Sequence, residues 1–167
     1  MPLLTFPIQT QQAKEWCWIA CAVSTDHYYN PGSAWDQGSL ANAMLGLTIC
    51  STTPVPDQCD KPGQFKNSIG YVQRLRTAVS TPILLSGIQA EIDASDPIGH
   101  PVCAGIQWAD EKVGHLVVIC GYDNSAGTDY IYVADPGTGT IHHLPYNSFL
   151  TSYEGKGTWT NTYFTEP

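Results

Sequence analysis

Charged side chains are scarce in this chain. Asp, Glu, Lys and Arg make up 13% of 167 residues, about half the ordinary share, and Thr, Ser, Gly and Tyr fill the surface instead. Basic residues are scarcest: seven Lys and Arg stand against fifteen Asp and Glu, for a formal net charge of −8. The seven are scattered, so no basic cluster exists to meet phosphates, and nucleic acid or an anionic membrane would be repelled. No apolar run approaches the roughly 20 residues of a membrane-spanning helix. Met1 to Ile8 lack the basic start and long apolar stretch of a signal peptide. Three readings stay open: a signal already removed, export by another route, or retention inside the cell. There is no internal repeat, linker or low-complexity segment. The length suits one domain, 1–167, with a substantial core, acting as a monomer.

Six cysteines are present. Cys17, Cys21, Cys103 and Cys120 lie in apolar runs and read as core. Cys50 and Cys59 flank a turn-rich loop, Ser51 to Gln58, with two prolines. A disulfide there would close a short loop and contribute up to about 3 kcal/mol; the sequence leaves bridged and free forms both open. Cys103 and Cys120 could face each other on neighbouring strands, but buried free thiols are the preferred reading. The about two-to-four-residue spacing of structural zinc ligands occurs only at Cys17 and Cys21, on one predicted helix, so no metal and no cofactor is expected.

The first half reads helical. Trp16 to Tyr29 is apolar on nearly every side and predicts a buried central helix, ended by Asn30-Pro31-Gly32. A second helix is expected over Trp35 to Leu47, with Ser33 as a candidate cap. Cys50 to Gly63 reads as loop. A third helix is expected over Phe65 to Ala78, carrying Ile69, Val72 and Leu75. Ser86-Gly87-Ile88-Gln89 resembles a capping box opening a short helix to about Ala94. The second half reads as strands: Pro101 to Trp108, His115 to Asp123, Asp129 to Asp135, Thr140 to Leu144 and Gly157 to Phe164, separated by turns at Ala109 to Gly114, Asn124 to Gly127 and Pro136 to Gly139. Helices followed by antiparallel strands indicate an α+β fold whose two parts meet at a cleft.

Four residues carry candidate chemistry. Cys17 stands at the first turn of the central helix, where the positive end of the helix dipole and a neighbouring imidazolium favour a thiolate. A lone cysteine in such a run is ordinarily a core residue. Gln11 six residues upstream, Trp18 beside it and a His and an Asp downstream reverse that preference. Cys21, one turn deeper, is the rival nucleophile. His115 follows Gly114 at the start of a strand, placed to take the thiol proton and return it to a leaving amine; His27, His100, His142 and His143 compete. Asp135 ends the next strand. With a hairpin near Asn124 to Gly127, residue numbers across it sum to about 250–253, which sets Asp135 opposite a position between His115 and Val118, within side-chain reach of the imidazole. There it would fix the tautomer and stabilise the imidazolium. Asp135-Pro136-Gly137 fits a simple turn equally well, and Asp123 lacks the cross-strand argument. Gln11 would aim its amide at an oxyanion, with the Cys17 N–H as second donor; Gln9 and Gln12 are the alternatives. Trp18 reads as packing at the cleft, and Trp108 as core or rim.

Gln11, Cys17-Trp18, Gly114-His115 with Gly121-Tyr122-Asp123, and Asp135-Pro136 together resemble the pattern of papain-like cysteine peptidases. The similarity is greater to bacterial members, the avirulence-type effector proteases delivered into plant cells and the related bacteriocin-leader peptidases. It spans about Gln9 to Pro136. The resemblance implies a papain-like fold, with a helical part packed on an antiparallel sheet. It also implies catalytic Cys17, His115 and Asp135 and an oxyanion role for Gln11. Cys-Trp rather than Cys-Gly favours the effector-type branch, and the chain carries none of the membrane and ATPase parts of a leader-processing transporter. It differs from plant and lysosomal papains in its small size and in Asp where they use Asn, so their substrate pockets do not transfer.

The expected function is therefore a cysteine endopeptidase acting on a protein or peptide through an acyl-enzyme. The resemblance implies a secreted or delivered bacterial effector. Two alternatives remain: a glutamine deamidase or transglutaminase with the same triad, and a non-catalytic binding module of papain-like fold. A peptidase cleft must be open at both ends, whereas a deamidase needs a single side-chain slot.

Overall fold

The computed structural model describes residues 2–125 and 127–167. Met1, at the start of the expected domain, and Ala126, in the expected turn 124–127, lie outside the described residues. Five helices and six strands are present among them. In chain order they are α1 (Cys17–Tyr29), α2 (Gln37–Leu45), α3 (Phe65–Tyr71), β1 (Leu75–Val79), α4 (Leu85–Ile92), β2 (Val102–Trp108), β3 (His115–Asp123), β4 (Tyr130–Asp135), β5 (Thr140–Pro145), α5 (Tyr146–Ser152) and β6 (Gly157–Thr165). The strands form one sheet in the order β1-β6-β2-β3-β4-β5, every pair antiparallel. The fold is α+β and papain-like.

Strand alternation sorts the core into two layers. Cys103, Val118, Cys120 and Ala134 face α1, α2 and α3, against Ile19, Ala22, Leu40 and Ile69. Their neighbours Val102, Ala104, Ile106, Val117, Ile119, Ile131 and Val133 face α4 and α5, against Ile88, Ile92, Tyr146 and Phe149. With both faces covered, the central strands read as near-continuous apolar runs. The first ten residues of α1 are all buried, which is why its sequence shows no polar stripe. α1 packs on β3 as well as on α2 and α3, so its N-terminus reaches the start of that strand.

Several boundaries differ from expectation, each for a local reason. The third helix ends at Tyr71, and Gln73 takes a left-handed φ of 60°. Leu75 to Val79 then pair with β6 rather than continuing the helix. The spacing of Ile69, Val72 and Leu75 suits a helix, but the open edge of β6 supplies backbone partners that outweigh it. α2 is capped by Asp36, not Ser33: the Asp36 carboxylate accepts from Ser39 N–H at 2.7 Å, and the Ser39 hydroxyl oxygen accepts Asp36 N–H at 3.1 Å. Ser33 instead donates to Asp26. α4 begins after Leu84 without a side-chain cap, so Ser86 and Gln89 form no capping box. α5 was not expected at all. It starts directly where β5 ends, with no turn between them.

Cys50 and Cys59 are disulfide-bonded, while Cys17, Cys21, Cys103 and Cys120 are free and buried. The bridge anchors three consecutive acceptors. Cys59 O receives Trp16 Nε1 at 2.7 Å, Asp60 Oδ1 receives Glu15 N–H at 2.7 Å, and Lys61 O receives Trp18 Nε1 at 3.0 Å. The turn leading into α1 is held from outside the helix.

Candidate active site

Cys17 is the first residue of α1. Trp16, the N-cap residue, provides no side-chain cap, and the Cys17 N–H has no hydrogen-bond partner among the described residues. A helix start leaves such donors unmet unless something is brought to them. Cys17 is 8% exposed, and its side opens to the cleft.

His115 opens β3, paired with Ile106 of β2. The chain reaches it through Gly114, where a Cβ would lie 2.5 Å from Ile106 O, so no larger residue fits that approach. His115 Nε2 meets Asp135 Oδ1 at 2.8 Å. The Cys17 thiol lies near enough to favour the imidazolium, and Nδ1 is the ring nitrogen that the Asp135 bond leaves open. Burial opposes charge on this imidazole, but the hydrogen bonds and charges of Asp135 and Cys17 outweigh it and push the pKa up to about 10.

Asp135 closes β4. The hairpin register is close to that expected: Val118 pairs with Ala134 and Ile119 with Val133, with a bulge between Ile119 and Gly121. Asp135 is 2% exposed, and both carboxylate oxygens are hydrogen-bonded. Oδ1 also accepts Gly137 N–H at 2.7 Å, and Oδ2 accepts the Tyr153 hydroxyl. Burial raises its pKa, yet these bonds and the His115 charge bring it below the usual 3.8.

Gln11 is tied to the same region through its backbone, whose N–H donates to Pro136 O at 2.8 Å. Its amide Nε2 donates to Ala13 O at 3.0 Å and Lys14 O at 2.6 Å, and Oε1 is buried without a partner among the described residues. Gln37, itself buried in α2, holds this segment: it accepts Gln12 N–H at 3.0 Å and donates to Thr10 O at 3.0 Å and Gln9 Oε1 at 3.1 Å.

The rivals lie elsewhere. Cys21 is fully buried, with a thiol held protonated chiefly by that burial. Gln9 contacts His27 and Gln37, and the Gln12 side chain is exposed. His27 bonds Trp35 O, His100 pairs with Glu91, and His142 meets Thr138 and Thr140. His143 stacks on Tyr130 and Tyr132 near Asp123.

Two cavities flank the thiol and imidazole. One, of about 240 Å³, is bounded by Trp18, Gly63, Phe65, Ile106, Asn161 and Tyr163; the other is bounded by Lys14, Trp108, Glu111, Lys112 and Val113. Cys17, His115, Glu15, Val113 and Gly114 line both.

Sequence reasoning missed two neighbours of the site. Trp108, read as core or rim, stacks on His115 at 5.7 Å and 19°. Its position at the end of β2, one turn before His115, was the available signal. Tyr153 follows α5, and its place three and seven residues beyond apolar Leu150 and Tyr146 marked it as part of a helical face.

Among the described residues no helix is long and apolar enough to cross a membrane, and no group of three or more His, Cys, Asp or Glu is gathered to hold a metal ion. No curated protein matches the chain. Residues 3–163 match the model described as the Peptidase_C39 like family, and the chain belongs to that family of cysteine peptidases.

Proposed function

We propose that the chain is a cysteine endopeptidase in which Cys17 attacks the carbonyl carbon of a peptide bond in a protein or peptide substrate. His115 takes the thiol proton and delivers it to the departing amine. The same imidazole then activates the water that hydrolyses the thioester. Asp135 holds the ring and stabilises its cation. The developing oxyanion meets the unpartnered Cys17 N–H at the positive end of α1. Gln11 joins as second donor when its amide turns one N–H away from Ala13 O or Lys14 O.

One observation carries the choice of substrate: the thiol and imidazole stand where two cavities meet. An extended chain can therefore pass the sulfur on both sides, whereas a glutamine side chain needs one slot. The mutual packing of the early helices and the late strands supports one domain over 1–167. The Cys50–Cys59 bridge suits an oxidising compartment. With the Cys-Trp pattern of effector-type proteases, it supports export as a bacterial effector acting on a host or competitor protein.

The test is incubation with an unfolded protein and mass spectrometry of the products. New chain termini, absent with Cys17→Ala, support the proposal. Glutamine-to-glutamate conversion or cross-links without new termini transfer the site to deamidation or transglutamination.

A further inference from the structure

The second oxygen of Asp135 is not free. Tyr153 donates its hydroxyl proton to Oδ2, while Oδ1 serves His115 and Gly137. The phenol is 3% exposed, and a buried hydroxyl needs an acceptor; here that acceptor is an ionised carboxylate, which makes the bond a strong one. The ring has little freedom. Its backbone is bridged to Gly157 by two bonds of 2.8 Å. Its face meets Phe149 at 5.4 Å, edge to face, and Trp108 at 6.1 Å and 21°, and Trp108 in turn stacks on His115. Tyr153 thus touches the site twice, through the carboxylate and through the indole that covers the imidazole.

We propose that Tyr153 is a positioning residue of this site: its hydroxyl fixes the rotation of the Asp135 carboxylate so that Oδ1 faces His115 Nε2, and keeps that carboxylate ionised. The inference rests on the Cys17–His115–Asp135 reading given above. Without the hydroxyl, Oδ2 is left buried with an empty acceptor. The carboxylate then protonates more readily, and the imidazole loses the charge that holds it. The phenol itself stays protonated, since burial and the Asp135 charge both push its pKa up. It acts as a fixed donor and not as an acid or base.

The experiment follows alkylation of Cys17 by iodoacetamide against pH, located by peptide mapping, in the wild-type chain, Tyr153→Phe, Asp135→Asn and the double variant. Phe keeps the ring contacts and removes only the hydroxyl. For Tyr153→Phe the acid limb is expected to move up by about one pH unit, the scale of one charge-assisted bond. On a cleaved peptide, kcat should fall about tenfold with KM unchanged, as for an interaction that matters in the transition state. In the Asp135→Asn background the same change should add nothing. A Tyr153→Phe profile that superimposes on the wild type overturns the inference, and so does a loss that simply adds to that of Asp135→Asn. Wild-type Cys17 no more reactive than free cysteine overturns the triad reading itself, and the inference with it. Should Tyr153→Phe fail to fold, carbon NMR of the tyrosine Cζ atoms in the wild type decides. The Tyr153 signal must follow the acid limb of alkylation; a signal flat through that limb overturns the role.

Discussion

Trp16 Nε1 and Cys59 O are 2.7 Å apart, so the residue before the candidate nucleophile hangs on one end of the disulfide. Asp60 and Lys61 accept from Glu15 and Trp18 on either side. The bridge is therefore expected to act on the site as well as on stability. Replacing both Cys50 and Cys59 by Ser should lower unfolding free energy by about 2–3 kcal/mol, the chain-entropy value for a loop this short, as read by chemical denaturation. Turnover should fall too, by more than the loss of folded protein explains, because the Glu15–Trp18 turn loses its fixed acceptors. Stability lost with turnover per folded molecule unchanged would show that the bridge serves the loop alone.

The charge states of His115 and Asp135 set two limits in pH. The His115 pKa is raised from 6.5 to about 10, so its cation stabilises the folded state fully below the unfolded value, and that contribution is lost as pH rises through about 10. The Asp135 pKa is lowered from 3.8, so its contribution is present above that value and lost as pH falls below it. Thermal melting against pH should show both declines. Asp135→Ala should remove the acid one and bring the alkaline one down, since it takes away a main support of the cation.

Cys17→Ala should abolish turnover and leave the fold intact, because a small apolar residue suits the start of a buried helix. Asp135→Ala should retain residual activity, lower by about 100-fold, since the thiol and imidazole survive without their orienting partner. Steady-state kinetics on one peptide separates the two; equal activity in both variants contradicts the assignment.

Gly114→Ala tests the approach to His115. The added methyl would lie 2.5 Å from Ile106 O, a backbone atom that cannot move aside cheaply. The expected cost is about 1–3 kcal/mol of overpacking, together with a fall in kcat as the start of β3 shifts away from α1. Denaturation and kinetics of one sample measure both; full activity would show that the site tolerates displacement of its base.

Gln11→Ala asks whether the side-chain amide reaches the reaction. Loss of one oxyanion donor typically lowers turnover about 100- to 1000-fold with little change in KM. If the amide only braces Ala13 O and Lys14 O, stability falls instead and kcat per folded molecule holds.

α1 and β2 to β4 were legible because burial on all sides leaves unbroken apolar runs, and the turn residues between strands mark their ends. The meeting of His115 and Asp135 could be anticipated from hairpin register together with the family resemblance, since strand pairing converts sequence offset into distance. β1 was not legible. Ile69, Val72 and Leu75 keep helical spacing, and what makes Leu75 to Val79 a strand is the edge of β6, supplied by the far end of the chain. α5 was hidden for another reason: it follows β5 directly at Pro145 with no intervening turn to announce a change, and the spacing of Tyr146, Phe149 and Tyr153 is what betrays it. The bond from Tyr153 to Asp135 depends on ring packing against Trp108 and Phe149, which no local pattern encodes. The disulfide was undecided in the sequence because loop length and prolines permit closure without requiring it.

The most direct measurement is the alkylation rate of Cys17 at neutral pH in the wild type and in His115→Ala. A thiolate sustained by the His115 cation should react at least about tenfold faster than free cysteine at that pH, and should lose the excess when the imidazole is removed. A Cys17 that reacts no faster than free cysteine, with a rate indifferent to His115→Ala, would contradict the central claim that these two side chains form one nucleophile.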